Sequence, residues 1–108
     1  MRTHQEIDER SLALASAIAE KIDSDPGRGG LDHARQVCER WSRQKVATDV
    51  QTWQGILTRD WPEIRPQLLE DSERGRRLRQ SSPFCGILTP RERWAIYRRF
   101  RDRDESPA

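Results

Sequence analysis

Three times the chain sets a threonine three residues ahead of a Glu or Gln: Thr3-His4-Gln5-Glu6, Thr48-Asp49-Val50-Gln51 and Thr89-Pro90-Arg91-Glu92. This is capping-box spacing. The hydroxyl accepts from an amide of the first helical turn, and the Glu or Gln side chain reaches back to the threonine amide. Apolar residues then recur every three to four positions, which only a helix turns into one face. Ile7, Leu14, Ile18 and Ile22 follow the first box, and Val50, Trp53, Ile56 and Leu57 the second. After the third, Trp94, Tyr97 and Phe100 step by three, with Ile96 able to reach the same flank.

The intervening stretches carry the same period. Leu31 stands before a helix expected from near Asp32, with Ala34, Val37, Cys38 and Trp41 as its inner stripe. Asp60-Trp61-Pro62-Glu63 starts another, with Asp60 as cap and the proline in the tolerant first turn. Pro66 predicts a bend near Arg65, after which one helix continues from Glu70 to Gln80 with Leu68, Leu69 and Leu78 on its inner side. Gly27-Arg28-Gly29-Gly30 reads as a flexible linker, and Ser81-Ser82-Pro83 as a stop. Phe84-Cys85-Gly86-Ile87-Leu88 has no partner strand, so it is expected as an ordered loop folding Phe84 and Leu88 inward. The expected fold is all-α: a compact bundle of five or six short helices with an ordered apolar loop near residues 81–89, wedged against the helices bearing Leu78 and Trp94. Residues 1–103 form one helical domain in this reading, with fraying from Asp102 and a frayed tail over 104–108.

With 33% hydrophobic and 35% charged residues the core must be thin, yet four Trp, two Phe and one Tyr argue against a disordered chain. No run is long and apolar enough to span a membrane, and the N-terminus lacks the order of a secretory signal. Two cysteines without CxxC spacing point to reduced thiols and a cytoplasmic setting. Cys38 belongs to an apolar stripe, and His4 and His33 are too scattered to complete a zinc site. The glycine-rich turn matches neither phosphate-loop nor dinucleotide fingerprint. Ser81 and Ser82 lack a His–acid pair, and neighbouring carboxylates such as Asp8/Glu9 diverge on a helix. The expectation is a chain that is not an enzyme and takes no cofactor or metal.

Charge is divided unevenly. Residues 1–73 carry ten Lys/Arg against fourteen Asp/Glu, whereas residues 74–103 carry ten Arg against Glu92 and Asp102, a net of +8. Such a split suits an acidic or polyanionic partner, or contact between copies as a homo-oligomer. Arg76, Arg77 and Arg79 approach from the helix before the loop and Arg91, Arg98 and Arg99 from the helix after it, as candidate contacts for phosphates or a carboxylate-rich protein. Arg91 and Arg98 share a face, set opposite Trp94 and Tyr97 in this reading, and packing is the cheaper account of those two aromatics.

The segment Leu78–Tyr97, LRQSSPFCGILTPRERWAIY, resembles the C-terminal signature of small bacterial proteins that act as antitoxin-like partners in toxin–antitoxin or nucleotidyltransferase loci. The resemblance covers about the last quarter of the chain, with a looser likeness around Trp53 and Trp61. It implies a structural or partner-binding role for Arg79, Gln80, Ser81, Ser82, Pro83, Phe84, Gly86, Leu88 and Arg93, beside Thr89, Pro90, Trp94 and Tyr97 of the helix start. Cys85 stands where a small residue such as Ala is expected. The resemblance carries no catalytic residue and no DNA-binding motif. Its implied function is a non-catalytic interaction or regulatory protein bound to a toxin or nucleotidyltransferase. The alternative is a nucleic-acid-binding module using the arginine-rich helices.

Overall fold

Helices begin and end where the turn chemistry sits, with two exceptions. The computed structural model describes residues 4–44 and 49–105. Within them lie α1 (His4–Asp23), α2 (Gly29–Gln44), α3 (Val50–Leu57), α4 (Trp61–Leu68), α5 (Glu73–Gln80) and α6 (Pro90–Glu105), and no strand. This is the expected compact all-α bundle of short helices. None of the described helices is long and apolar enough to cross a membrane. The boxes on Thr3 and Thr48 lie outside the described residues. The third is complete: Thr89 donates its amide to Glu92 at 2.8 Å, and Glu92 donates its amide to the Thr89 hydroxyl at 3.1 Å.

The first exception is the start of α2. The Asp25 carboxylate accepts from the amides of Gly27 at 3.1 Å and Gly29 at 2.8 Å, satisfying donors that a helix N-terminus leaves open. The helix therefore begins at Gly29, ahead of Asp32, and half of the expected linker is its first turn. Gly30 also lets α1 and α2 close up, since a Cβ there would come within 2.8 Å of Ile22.

The second exception is the charged run. The helix runs through Pro66 and stops at Leu68, and a new one starts at Glu73. Ser72 caps it, its hydroxyl accepting from the Gly75 amide at 3.0 Å. The turn between α4 and α5 is so tight that a Cβ at Gly75 would overlap the Glu70 carbonyl oxygen.

Most of the core joins α1 to α5 with the loop after α5. Phe84 is wholly buried, its ring edge-on to Trp53 at 5.6 Å and 6.3 Å from Trp61. The polar edges of both indoles are satisfied. Trp53 donates to the Leu78 carbonyl at 3.0 Å and Trp61 to the Asp23 carboxylate at 2.6 Å. That bond, with Arg65 at 3.0 Å, holds the Asp23 carboxyl below its ordinary range. Cys38 is buried against α3, and burial pushes its thiol pKa up, so its place in the stripe is a packing role.

A smaller cluster ties α6 to α1. Leu88, Ile96 and Phe100 pack against Ala13, Leu14, Ala17 and Ile18. Here the expected seam is corrected. At 3.6 residues per turn, Ile96 and Phe100 share the inner face, while Trp94, two residues before Ile96, points almost oppositely. Trp94 is 59% exposed. Tyr97 is half-buried at the flank, with the Arg10 guanidinium 5.2 Å from its ring centre. The loop accordingly packs on Trp53, Trp61 and α1, and not on Trp94. Helix α6 continues past Asp102 to Glu105, and residues 106–108 of the expected tail lie outside the described residues.

Candidate functional site

The arginine-rich segment divides into two groups in opposite settings. On α5 the guanidinium groups are engaged within the fold. Arg76 pairs with Asp8 at 3.5 Å and Asp71 at 3.9 Å, and Arg77 with Asp49 at 3.6 Å. Arg79 donates to the Leu68 carbonyl at 3.3 Å, the Glu70 carbonyl at 2.8 Å and the Ser11 hydroxyl at 3.3 Å. It thereby satisfies carbonyls that the end of α4 leaves open. These three arginines hold α5 against α1, α3 and the α4 end. Desolvation lowers the pKa of Arg79, with nearby carboxylates opposing that shift.

On α6 the situation reverses. Arg91, Arg93, Arg98, Arg99 and Arg101 are exposed, and none has a side-chain partner among the described residues. Arg91, Trp94, Arg98 and Arg101 follow at i, i+3, i+7 and i+10, which lays them along one outward stripe. Trp94 thus stands among the arginines and not opposite them. The Tyr97 ring meets it edge-on at 6.4 Å, so the indole is braced from one side and open on the other.

The start of α6 is held firmly. Lys21 of α1 donates to the Ile87 carbonyl at 2.8 Å and pairs with Glu92 at 2.7 Å. That bond, followed by the one from the Thr89 amide, draws the Glu92 pKa down to about 2. His33 adds a second tie, its Nε2 lying 3.1 Å from the Cys85 carbonyl oxygen, where the ring acts as the donor. Lys21 and His33 as anchors of the loop and α6 start, and Ser11 as a partner of Arg79, were not readable, because their partners lie 52 to 71 residues away in sequence.

The remaining signature residues have distinct duties. Ser81 ends α5, its amide bonding back to the Leu78 carbonyl at 3.3 Å. The Ser82 hydroxyl accepts from the Phe84 amide at 3.2 Å, and Pro83 is buried beside it. Gly86 has φ +81°, a conformation that side chains resist. Pro90 occupies the first turn of α6 behind the Thr89 cap. Between α1, the end of α5, this loop and the start of α6 opens a cleft of about 270 Å³. Arg79, Gln80, Ser82, Phe84, Gly86, Leu88 and Arg93 all line it, so most of the signature surrounds one space.

Comparison with protein-family models, curated proteins and solved structures yields no match. The chain's own surfaces are a held, engaged α5, an open arginine–tryptophan stripe on α6, and the cleft beneath the loop.

Proposed function

We propose that the chain is a non-catalytic interaction protein that docks an acidic partner protein on the outer face of α6. The observation that carries this reading is the stripe of Arg91, Trp94, Arg98 and Arg101, without an ion-pair partner among the described residues and centred on a 59% exposed indole. Trp and Arg dominate the energetic centres of protein interfaces. Arginine forks also suit carboxylates better than lysines do. The antitoxin-like resemblance of residues 78–97 agrees with a regulatory partner of this kind. Its test is parallel capture from a native-host extract with the wild-type chain, Trp94→Ala and Arg98→Glu. A protein held by the wild type and lost by both variants supports the reading. A protein held equally by all three forms, or none held by any, overturns it.

The exposure of Trp94 also favours a second reading, binding of single-stranded nucleic acid. An open indole between guanidinium groups can stack a base while they contact phosphates, and stacking contributes about 1–3 kcal/mol per base. Oligothymidylate should then quench Trp94 fluorescence and protect that indole from acrylamide. A response unchanged in Trp94→Ala removes this alternative.

A further inference from the structure

We infer that the cleft beneath the 82–88 loop binds a small organic anion, a carboxylate or phosphate head on a short apolar body. It is a separate site from the outer face of α6 and does not rest on the partner proposed for that face.

The cleft is lined by two guanidinium groups and no carboxylate. Arg79, at the end of α5, is half-buried and uses Nε and Nη1 on neutral oxygens alone. No carboxylate among the described residues lies within ion-pair distance of it. Burial disfavours its charged form, and the charges of Asp71, Asp8 and Glu70, all beyond ion-pair distance, offset this only in part, so an anion brought close recovers electrostatic energy that water supplies less effectively there. Arg93 enters the same space from α6, exposed and without a side-chain partner among the described residues. A head group between them would accept charge-assisted hydrogen bonds from both.

The rest of the lining defines the ligand's other end. Leu14, Ile18, Leu68 and Leu88 form an apolar wall, with the Ser11 and Ser82 hydroxyls beside it. A volume of about 270 Å³ falls below the roughly 300–1,000 Å³ of drug-sized pockets. A short-chain acid or phosphate monoester matches both its size and its polarity.

The cleft also contains its own reporter. Cys85 lines it and is exposed, whereas Cys38 is buried in the core. The isotopically labelled full chain would be titrated separately with hexanoate, hexyl phosphate and neutral hexanol. Amide shifts and the rate of Cys85 alkylation by iodoacetamide would be followed. The expected result is saturable shifts at Ser11, Ser82 and Gly86 with at least one anion, slower Cys85 alkylation, and hexanol weaker by about tenfold or more. Tighter binding of hexanoate assigns the natural head to a carboxylate, and tighter hexyl phosphate to a phosphoester. Arg93→Gln, an exposed position, should keep the fold and weaken the anion about tenfold. The inference is overturned by no saturation at roughly tens of millimolar, by hexanol binding as well as the anions, or by Arg93→Gln leaving affinity unchanged. Shifts confined to the outer face of α6 would overturn it equally.

Discussion

Phe84 and Trp94 are ten positions apart and face opposite ways, one into the core and one to solvent. Phe84 sits wholly buried between two indoles, and truncating a packed Phe costs about 3–5 kcal/mol. Against a marginal stability of about 5–15 kcal/mol, Phe84→Ala should lower the urea midpoint sharply. Trp94→Ala, on an exposed face, should stay within about 0.5 kcal/mol of wild type while partner binding falls. Unfolding followed by Trp53 and Trp61 emission beside a binding assay separates the two roles. Two glycines give a second contrast. At Gly55, exposed in α3 with nothing within 4 Å of a Cβ, alanine should stabilise by about 0.4–1 kcal/mol. At Gly75 the same helix preference is outweighed by overlap with the Glu70 carbonyl, so Gly75→Ala should lower the melting temperature. The inward turn of Phe84 was legible in its loop, where Pro83 and Pro90 restrict the chain at both ends. The outward turn of Trp94 was not, because steps of three let it join either the Tyr97 flank or the arginine stripe.

Among the elements, α6 depends on charge at its start. Glu92 is held near pH 2, below its ordinary 4.5, first by Lys21 and then by the Thr89 amide. A carboxylate with a depressed folded pKa contributes fully above its unfolded value and loses that contribution as pH falls through the folded one. The melting-temperature difference between wild type and Glu92→Gln should therefore be constant above about pH 4.5 and shrink toward pH 2. A difference independent of pH across that window would contradict the cap. Helix α5 depends on Arg79 instead. Arg79→Gln would strip charged donors from the carbonyls of Leu68 and Glu70, with a loss of about 1.5–3 kcal/mol by calorimetry or urea unfolding. That all these segments would be helices followed from their apolar period. The break before α5 was obscured because Ser72 lies in a charged run without apolar spacing to mark a boundary.

For the whole molecule, the net +8 of residues 74–103 overstates what a partner meets. The α5 arginines Arg74, Arg76 and Arg77 face carboxylates within 4 Å, and Arg79 is bound to carbonyls, so the free field belongs to α6. Arg91→Gln/Arg98→Gln/Arg101→Gln should unfold close to wild type, since none of the three has a side-chain partner among the described residues, yet lose affinity for any polyanion. If the ligand is single-stranded nucleic acid, three phosphate contacts set a slope of about −2 in log K against log salt. The triple variant should flatten that slope in a fluorescence titration, and an equal slope in both proteins would place the contacts elsewhere.

Helix type, the Thr89 cap and the inward Phe84 were determined within short windows, because hydrogen bonds of a first turn and a 3.6-residue period span only a few residues. Which arginines remain free, which way Trp94 faces, and that Arg79 and Arg93 share a cleft were decided by tertiary structure alone. Each depends on groups far apart in the chain: Asp8 meeting Arg76, Lys21 meeting Glu92, Ser11 meeting Arg79. A charge read along the chain has a sign. Whether it is neutralised depends on what another helix brings within about 4 Å, where Coulomb attraction competes with hydration.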